Sequence, residues 1–274
     1  VLKLGARETL LGAALGLSHR ERKGAATSTA ASTSERTSSA FRPLMLYVRA
    51  GEDLERIRAL HGLGRLGDPR ALTELAAIAQ GGTEDAPADV PMQAAALEAL
   101  GHLSHALPDA EARTRVRERV EGSIGVKDGT LAAAAVRGAA ALGSPDARPV
   151  GASADARERS RSILEGVLLA RSGSVGERLE AANALGELGD PAAEKALSQV
   201  LDDEHEGIAW AALEALDELF PTERTRVEFH AVTSAHGDIA KPAAVFLASS
   251  GDAALLLERL PKLDEELREQ IRRG

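Results

Sequence analysis

The segment Ala59-Leu60-His61-Gly62-Leu63-Gly64-Arg65-Leu66-Gly67-Asp68-Pro69 returns as Ala181-Ala182-Asn183-Ala184-Leu185-Gly186-Glu187-Leu188-Gly189-Asp190-Pro191, with seven of eleven positions identical across an offset of 122 residues. Weaker copies of its core stand at Ala13–Gly16, Ala99–Leu103, Ala139–Gly143, Ala215–Leu219 and Leu247–Asp252. Taking the Leu of the Leu-Gly pair as marker gives Leu15, Leu63, Leu100, Ala139, Leu185, Leu216 and Leu247, at spacings of 48, 37, 39, 46, 31 and 31. Self-similarity at periods of 20–50 residues is the signature of a stacked repeat architecture.

Each unit reads as two helices. Ile57, Leu60, Leu63 and Leu66, or Leu179, Ala182, Leu185 and Leu188, recur at helical spacing. Gly67 and Gly189 are placed to end that helix as C-caps. Asp68 and Asp190 then serve as N-caps, with Pro69 and Pro191 at the first position of the next helix, where a missing N–H costs nothing. The second helix carries Leu72, Leu75, Ala76 and Ala79, or Ala193, Leu197, Val200 and Leu201. Ala and Gly crowd the first helix because stacked pairs must approach closely. No period-2 run of β-branched residues appears, so the expected strand content is close to nil.

This pattern resembles the HEAT-like repeat, in the short variety described for phycobilin lyase subunits: an Ala-rich helix, Leu-Gly-x-Leu-Gly-Asp-Pro, then a second helix. Residues 54–80 and 177–203 match it well, 90–121, 207–236 and 238–260 moderately, and 130–171 and 5–49 loosely. The resemblance implies a right-handed α-solenoid of about six or seven helix pairs, a single array over residues 1–274. Two insertions interrupt it. Residues 24–40 hold nine Ser/Thr in seventeen positions, and 144–154 contain Pro145, Pro149 and Gly151, postponing the next helix to Asp155–Arg171. Both read as tolerated surface loops.

Composition narrows the function. There are 33 Lys+Arg against 42 Asp+Glu, a formal charge of −9, no Cys, and six aromatic residues. Absent cysteine excludes a disulfide scaffold, thiolate metal sites and a cysteine nucleophile. Net acidity and few aromatics argue against phosphate-backbone binding and base stacking. No run approaches the 18 or more apolar residues a membrane helix needs. Val1–Leu17 carries Lys3, Arg7 and Glu8 and lacks the layout of a secretory signal. It also lacks a polar face, so we expect the native chain to continue before Val1 or another chain to cover this end. Pro261–Gly274 keeps only Leu263, Leu267 and Ile271 as an apolar stripe, the look of a capping helix. Lack of cysteine suits either redox environment, which leaves the compartment open, with the cytoplasm favoured.

Chemistry-bearing motifs are sparse. One HEAT-like enzyme family, deoxyhypusine hydroxylase, builds a di-iron centre from four His-Glu pairs. This chain has only His205-Glu206, and one pair cannot hold two irons. That pair reads as a solvated helix start, where Asp202, Asp203, Glu204 and Glu206 meet the positive end of the dipole. His102 and His105 lack a third ligand nearby. Gly62–Gly67 fits G-x-G-x-x-G, but it closes an amphipathic helix instead of following a strand. Trp210 aligns with Leu179 and Ile57, inward positions of the first helix, and is expected in the core. A related family of DNA glycosylases places Trp and Asp on a basic concave face, which an acidic chain with a core Trp does not offer.

Charge distribution remains. Residues 110–171 hold 11 Lys/Arg and 8 Asp/Glu, whereas 172–220 hold 2 against 12. Arg113, Arg115, Arg117 and Arg119 form a candidate basic stripe on one second helix. Glu187, Glu194, Asp202, Asp203, Glu214, Asp217 and Glu218 form a candidate partner-binding acidic surface, in which stacking should set Glu187 beside Glu218. The leading reading is a non-catalytic scaffold without cofactor or metal, holding a protein partner on a concave face lined by second helices. A bilin lyase-like subunit is the alternative implied by the resemblance, and a nucleic-acid binder is a third.

Overall fold

In the computed structural model, residue 12 and residues 39–84, 86–144 and 154–249 are described. The insertions at 24–40 and 144–154 and both ends, Val1–Leu17 and Pro261–Gly274, lie outside them apart from residues 12, 39, 40, 144 and 154. The chain divides into two compact units, residues 1–160 and 161–274.

The first unit contains α1 (Phe41–Ala50), α2 (Asp53–Leu66), α3 (Leu72–Ala79), α4 (Val90–Leu103), α5 (Ala110–Glu121) and α6 (Gly129–Gly143). Helix α7 (Ala154–Leu169), expected over Asp155–Arg171, spans the boundary between the units. The second unit continues with α8 (Val175–Leu188), α9 (Glu194–Gln199), α10 (Glu206–Leu219), α11 (Arg224–Ala231) and α12 (Gly237–Ser249). In keeping with an expected strand content close to nil, the strands among the described residues are a minimal antiparallel hairpin, β1 (Gly82–Thr83) and β2 (Ala86–Pro87), which turns the chain between α3 and α4. Among the described residues no helix is long and apolar enough to cross a membrane.

The motif closes α2 and α8 as its chemistry requires. Gly67 and Gly189 adopt φ of 70° and 64°, the left-handed region that glycine enters without a Cβ clash. Asp68 and Asp190 then accept hydrogen bonds from the backbone N–H of Arg70 and Ala192. The chain re-enters helix through a single 3-10 turn, Pro69–Ala71 or Pro191–Ala193, before α3 and α9 begin.

Small residues set the stacking distance. Helices α2, α4 and α6 pack in sequence in the first unit, as do α8 and α10 in the second. A Cβ on Gly64 would lie 2.6 Å from Ala99 Cα, and one on Gly101 would lie 2.3 Å from the Gly138 carbonyl oxygen. On Gly186 it would fall 3.0 Å from Ala215 Cα. Backbones therefore nearly touch along the first helices. The markers Leu63, Leu100, Leu185 and Leu216 are all at most 1% exposed.

Candidate functional site

The second helices do not share that intimacy. Helices α3 and α5 each pack on α4, leaving between them a groove of about 470 Å³. Its floor is apolar: Leu72 and Ala76 of α3, Leu100 of α4, and Ala112 and Val116 of α5. Gln80, Arg115, Glu118, Arg119 and Ser123 form the rim.

Helix α5 divides the four candidate arginines into two pairs. Residues two apart project about 200° apart on a helix, whereas residues four apart share a face. Arg115 and Arg119 thus edge the groove. Arg113 instead donates to the Leu107 and Pro108 carbonyls, and Arg117 lies 3.8 Å from Glu121. Arg115 pairs with Glu111 at 2.9 Å, with both side chains exposed, an arrangement that contributes little.

The acidic candidates also separate by what they touch. Arg178, buried, holds both carboxylate oxygens of Asp203 and donates from Nε to the Leu168 carbonyl. Burial alone would raise the Asp203 carboxyl, but the Arg178 hydrogen bonds hold it below its ordinary value. Glu194 accepts from Arg226 at 2.7 and 2.5 Å and lies 2.9 Å from His230 Nε2, and the Arg226 bonds lower its pKa. Asp202 accepts the Ala235 N–H at 2.6 Å. Glu194 and Asp202 thereby fasten one repeat to the next, while Asp203 holds Arg178 of its own repeat, whose Nε reaches the preceding one. Glu187, Glu214, Asp217 and Glu218 are exposed instead. Glu218 reaches over Gly186, where a Cβ would sit 2.6 Å from Glu218 Oε2.

Trp210 corrects an expectation. It is 39% exposed on α10, not in the core. Its counterparts Ile57 and Leu179 are themselves only half-buried, and an indole outgrows so shallow a site. The ring is anchored by Nε1 donating to Glu206 Oε1 at 3.3 Å. Glu214, Asp217 and Glu218 follow Trp210 at i+4, i+7 and i+8, which places all four on one face of α10.

Two histidine readings become concrete. His205 and Glu206 sit exposed at the start of α10, and no group of three or more His, Asp or Glu suited to a metal occurs among the described residues. His105 Nε2 is 2.6 Å from the Ala141 carbonyl oxygen, and burial lowers its pKa although that bond opposes the shift. It joins the end of α4 to α6.

Sequence reasoning missed a row of equivalent positions, each two residues before the marker: His61, Glu98 and Arg137. Glu98 is flanked by His61 Nδ1 at 3.3 Å and by Arg137 Nε at 3.0 Å. Burial would raise the Glu98 carboxyl, yet its two partners together bring it down to about 2. Aligning the repeats on the marker leucine is the signal that exposes this row.

Residues 167–273 match the family model of HEAT repeats. Among solved structures the chain is similar to the complex of CpcE and CpcF of phycocyanin lyase from Nostoc sp. PCC7120. The identity is 17% and the TM-score 0.41, over 83% of this chain and 81% of that one. No curated protein matches. The fold is an all-α solenoid of helix pairs.

Proposed function

We propose that this protein is a non-catalytic interaction scaffold that receives a basic protein segment on the outer face of α10. The observation that carries the reading is the stripe Trp210, Glu214, Asp217 and Glu218, where an exposed indole stands in line with three exposed carboxylates. Like charges three and four residues apart on a helix repel and weaken it by a few tenths of a kcal/mol per pair. Among the described residues no cation forms an ion pair with Glu214, Asp217 or Glu218. A lysine- or arginine-rich segment would relieve that repulsion, and one of its cations would find the indole face. The field of the stripe would also speed encounter at low ionic strength.

Reversal of Glu214, Asp217 and Glu218 to Lys is the test, read as binding of co-purifying proteins at two ionic strengths. These should straddle a screening length of about 10 Å. We expect weaker binding and a flatter salt dependence. Unchanged affinity together with an unchanged salt slope would reduce the stripe to a solvated face. A covalent absorbance shift on mixing with a bilin and an acceptor protein would replace the scaffold reading with a lyase-type one.

A further inference from the structure

We propose that the groove between α3 and α5 docks a short acidic amphipathic helix of a partner protein. The proposal rests on the scaffold reading but uses a different surface, in the first unit alone. Its shape follows from the packing: first helices meet at glycine and alanine, while α3 and α5 flank a groove floored in part by Leu100. The floor offers aliphatic side chains and no charge, so the buried side of an occupant must be apolar.

Charge on the rim selects the rest of the occupant. Helix α3 contributes neutral Gln80, while its Glu74 is engaged by Arg49 at 3.1 Å. Helix α5 contributes Arg115 and Arg119 against the single Glu118. Among the described residues no carboxylate forms an ion pair with Arg119, and Arg115 has only its exposed partner Glu111. Two guanidinium groups one turn apart match carboxylates at i and i+4 of a facing helix. Length agrees as well. Helix α3 has eight residues, a wall about 12 Å long, which accommodates about two turns of a partner helix. The occupant therefore carries two aliphatic residues one turn apart, with a row of Glu or Asp beside them.

The experiment titrates the full chain against a fluorescein-labelled helical peptide of about 14 residues, with Leu at i and i+4 and Glu along the adjoining face. Controls replace its Glu by Lys or its Leu by Ser. We expect saturable anisotropy with the Glu/Leu peptide only. R115E/R119E should weaken binding about tenfold or more, because it sets carboxylate against carboxylate. Ala76→Trp, which fills the groove, should abolish binding. Circular dichroism establishes that each variant is folded, and if A76W is not, the exposed arginine variant decides. The E214K/D217K/E218K variant should bind the peptide as the parent does, so failure here is distinct from failure of the α10 stripe. No saturable binding to the parent chain, equal binding by the Lys peptide, or indifference to R115E/R119E would overturn the proposal. Self-association of the chain that R115E/R119E abolishes would put a second copy in the groove, and would equally overturn it.

Discussion

A glycine inside a helix ordinarily weakens it by about 1 kcal/mol relative to alanine. Here the sign depends on what faces the missing methyl. In α7, Gly166 has open space around its Cβ position, so Gly166→Ala should raise stability by up to about 1 kcal/mol. Gly101 faces the backbone of Gly138, and Gly101→Ala should lower stability by about 1–3 kcal/mol through forced separation of α4 and α6. Denaturant midpoints of the two variants should move in opposite directions, and a shared direction would refute the close-packed seam. A buried marker leucine offers the complementary probe. Leu185→Ala removes a fully buried side chain and should cost about 2–5 kcal/mol.

Among elements, charged side chains tie one repeat to its neighbour. Arg56 and Arg178, 122 residues apart, occupy the same repeat position, and each donates from Nε to a carbonyl at the end of the preceding second helix. Arg178 is buried and also holds Asp203, so Arg178→Ala leaves a carboxylate without its cation and should cost about 3–5 kcal/mol. Glu98 provides the pH counterpart. Its carboxyl titrates near 2 when folded, below its unfolded value, so its contribution is complete above about pH 4.5 and lost as pH falls toward 2. Glu98→Gln should therefore lower stability at neutral pH by about 2 kcal/mol, a deficit that shrinks through that acid window. Urea titrations at several pH values would show it, and a deficit constant with pH would rule out the coupling to His61 and Arg137. Helix ends such as Gly67-Asp68-Pro69 were legible beforehand because capping is local chemistry within a few residues. The His61–Glu98–Arg137 row and the groove were not. Their members come from different repeats in an array whose spacing varies from 31 to 48 residues, and a list of residues does not measure the space between α3 and α5. Trp210 was misplaced for a related reason: spacing identifies the face of a helix but not how deeply its neighbour covers that face.

At the scale of the molecule, each helix pair depends chiefly on the pairs beside it. Damage should accordingly stay near its source. Leu185→Ala is expected to speed amide exchange in α8 and α10 while leaving α2 and α4 protected, and a uniform loss of protection would contradict that locality. The row through His61, Glu98 and Arg137 gives this neighbourly dependence a historical edge. Repeats of this kind multiply when a stretch of coding sequence is copied or dropped. Excising the unit that carries Glu98 would bring His61 against Arg137 with no carboxylate between them, whereas keeping the order preserves acid between bases. The units are therefore not spare parts. Each carries a label readable only by the flanking copies, and a chain that shuffled them would have to rewrite those labels before it could stack again.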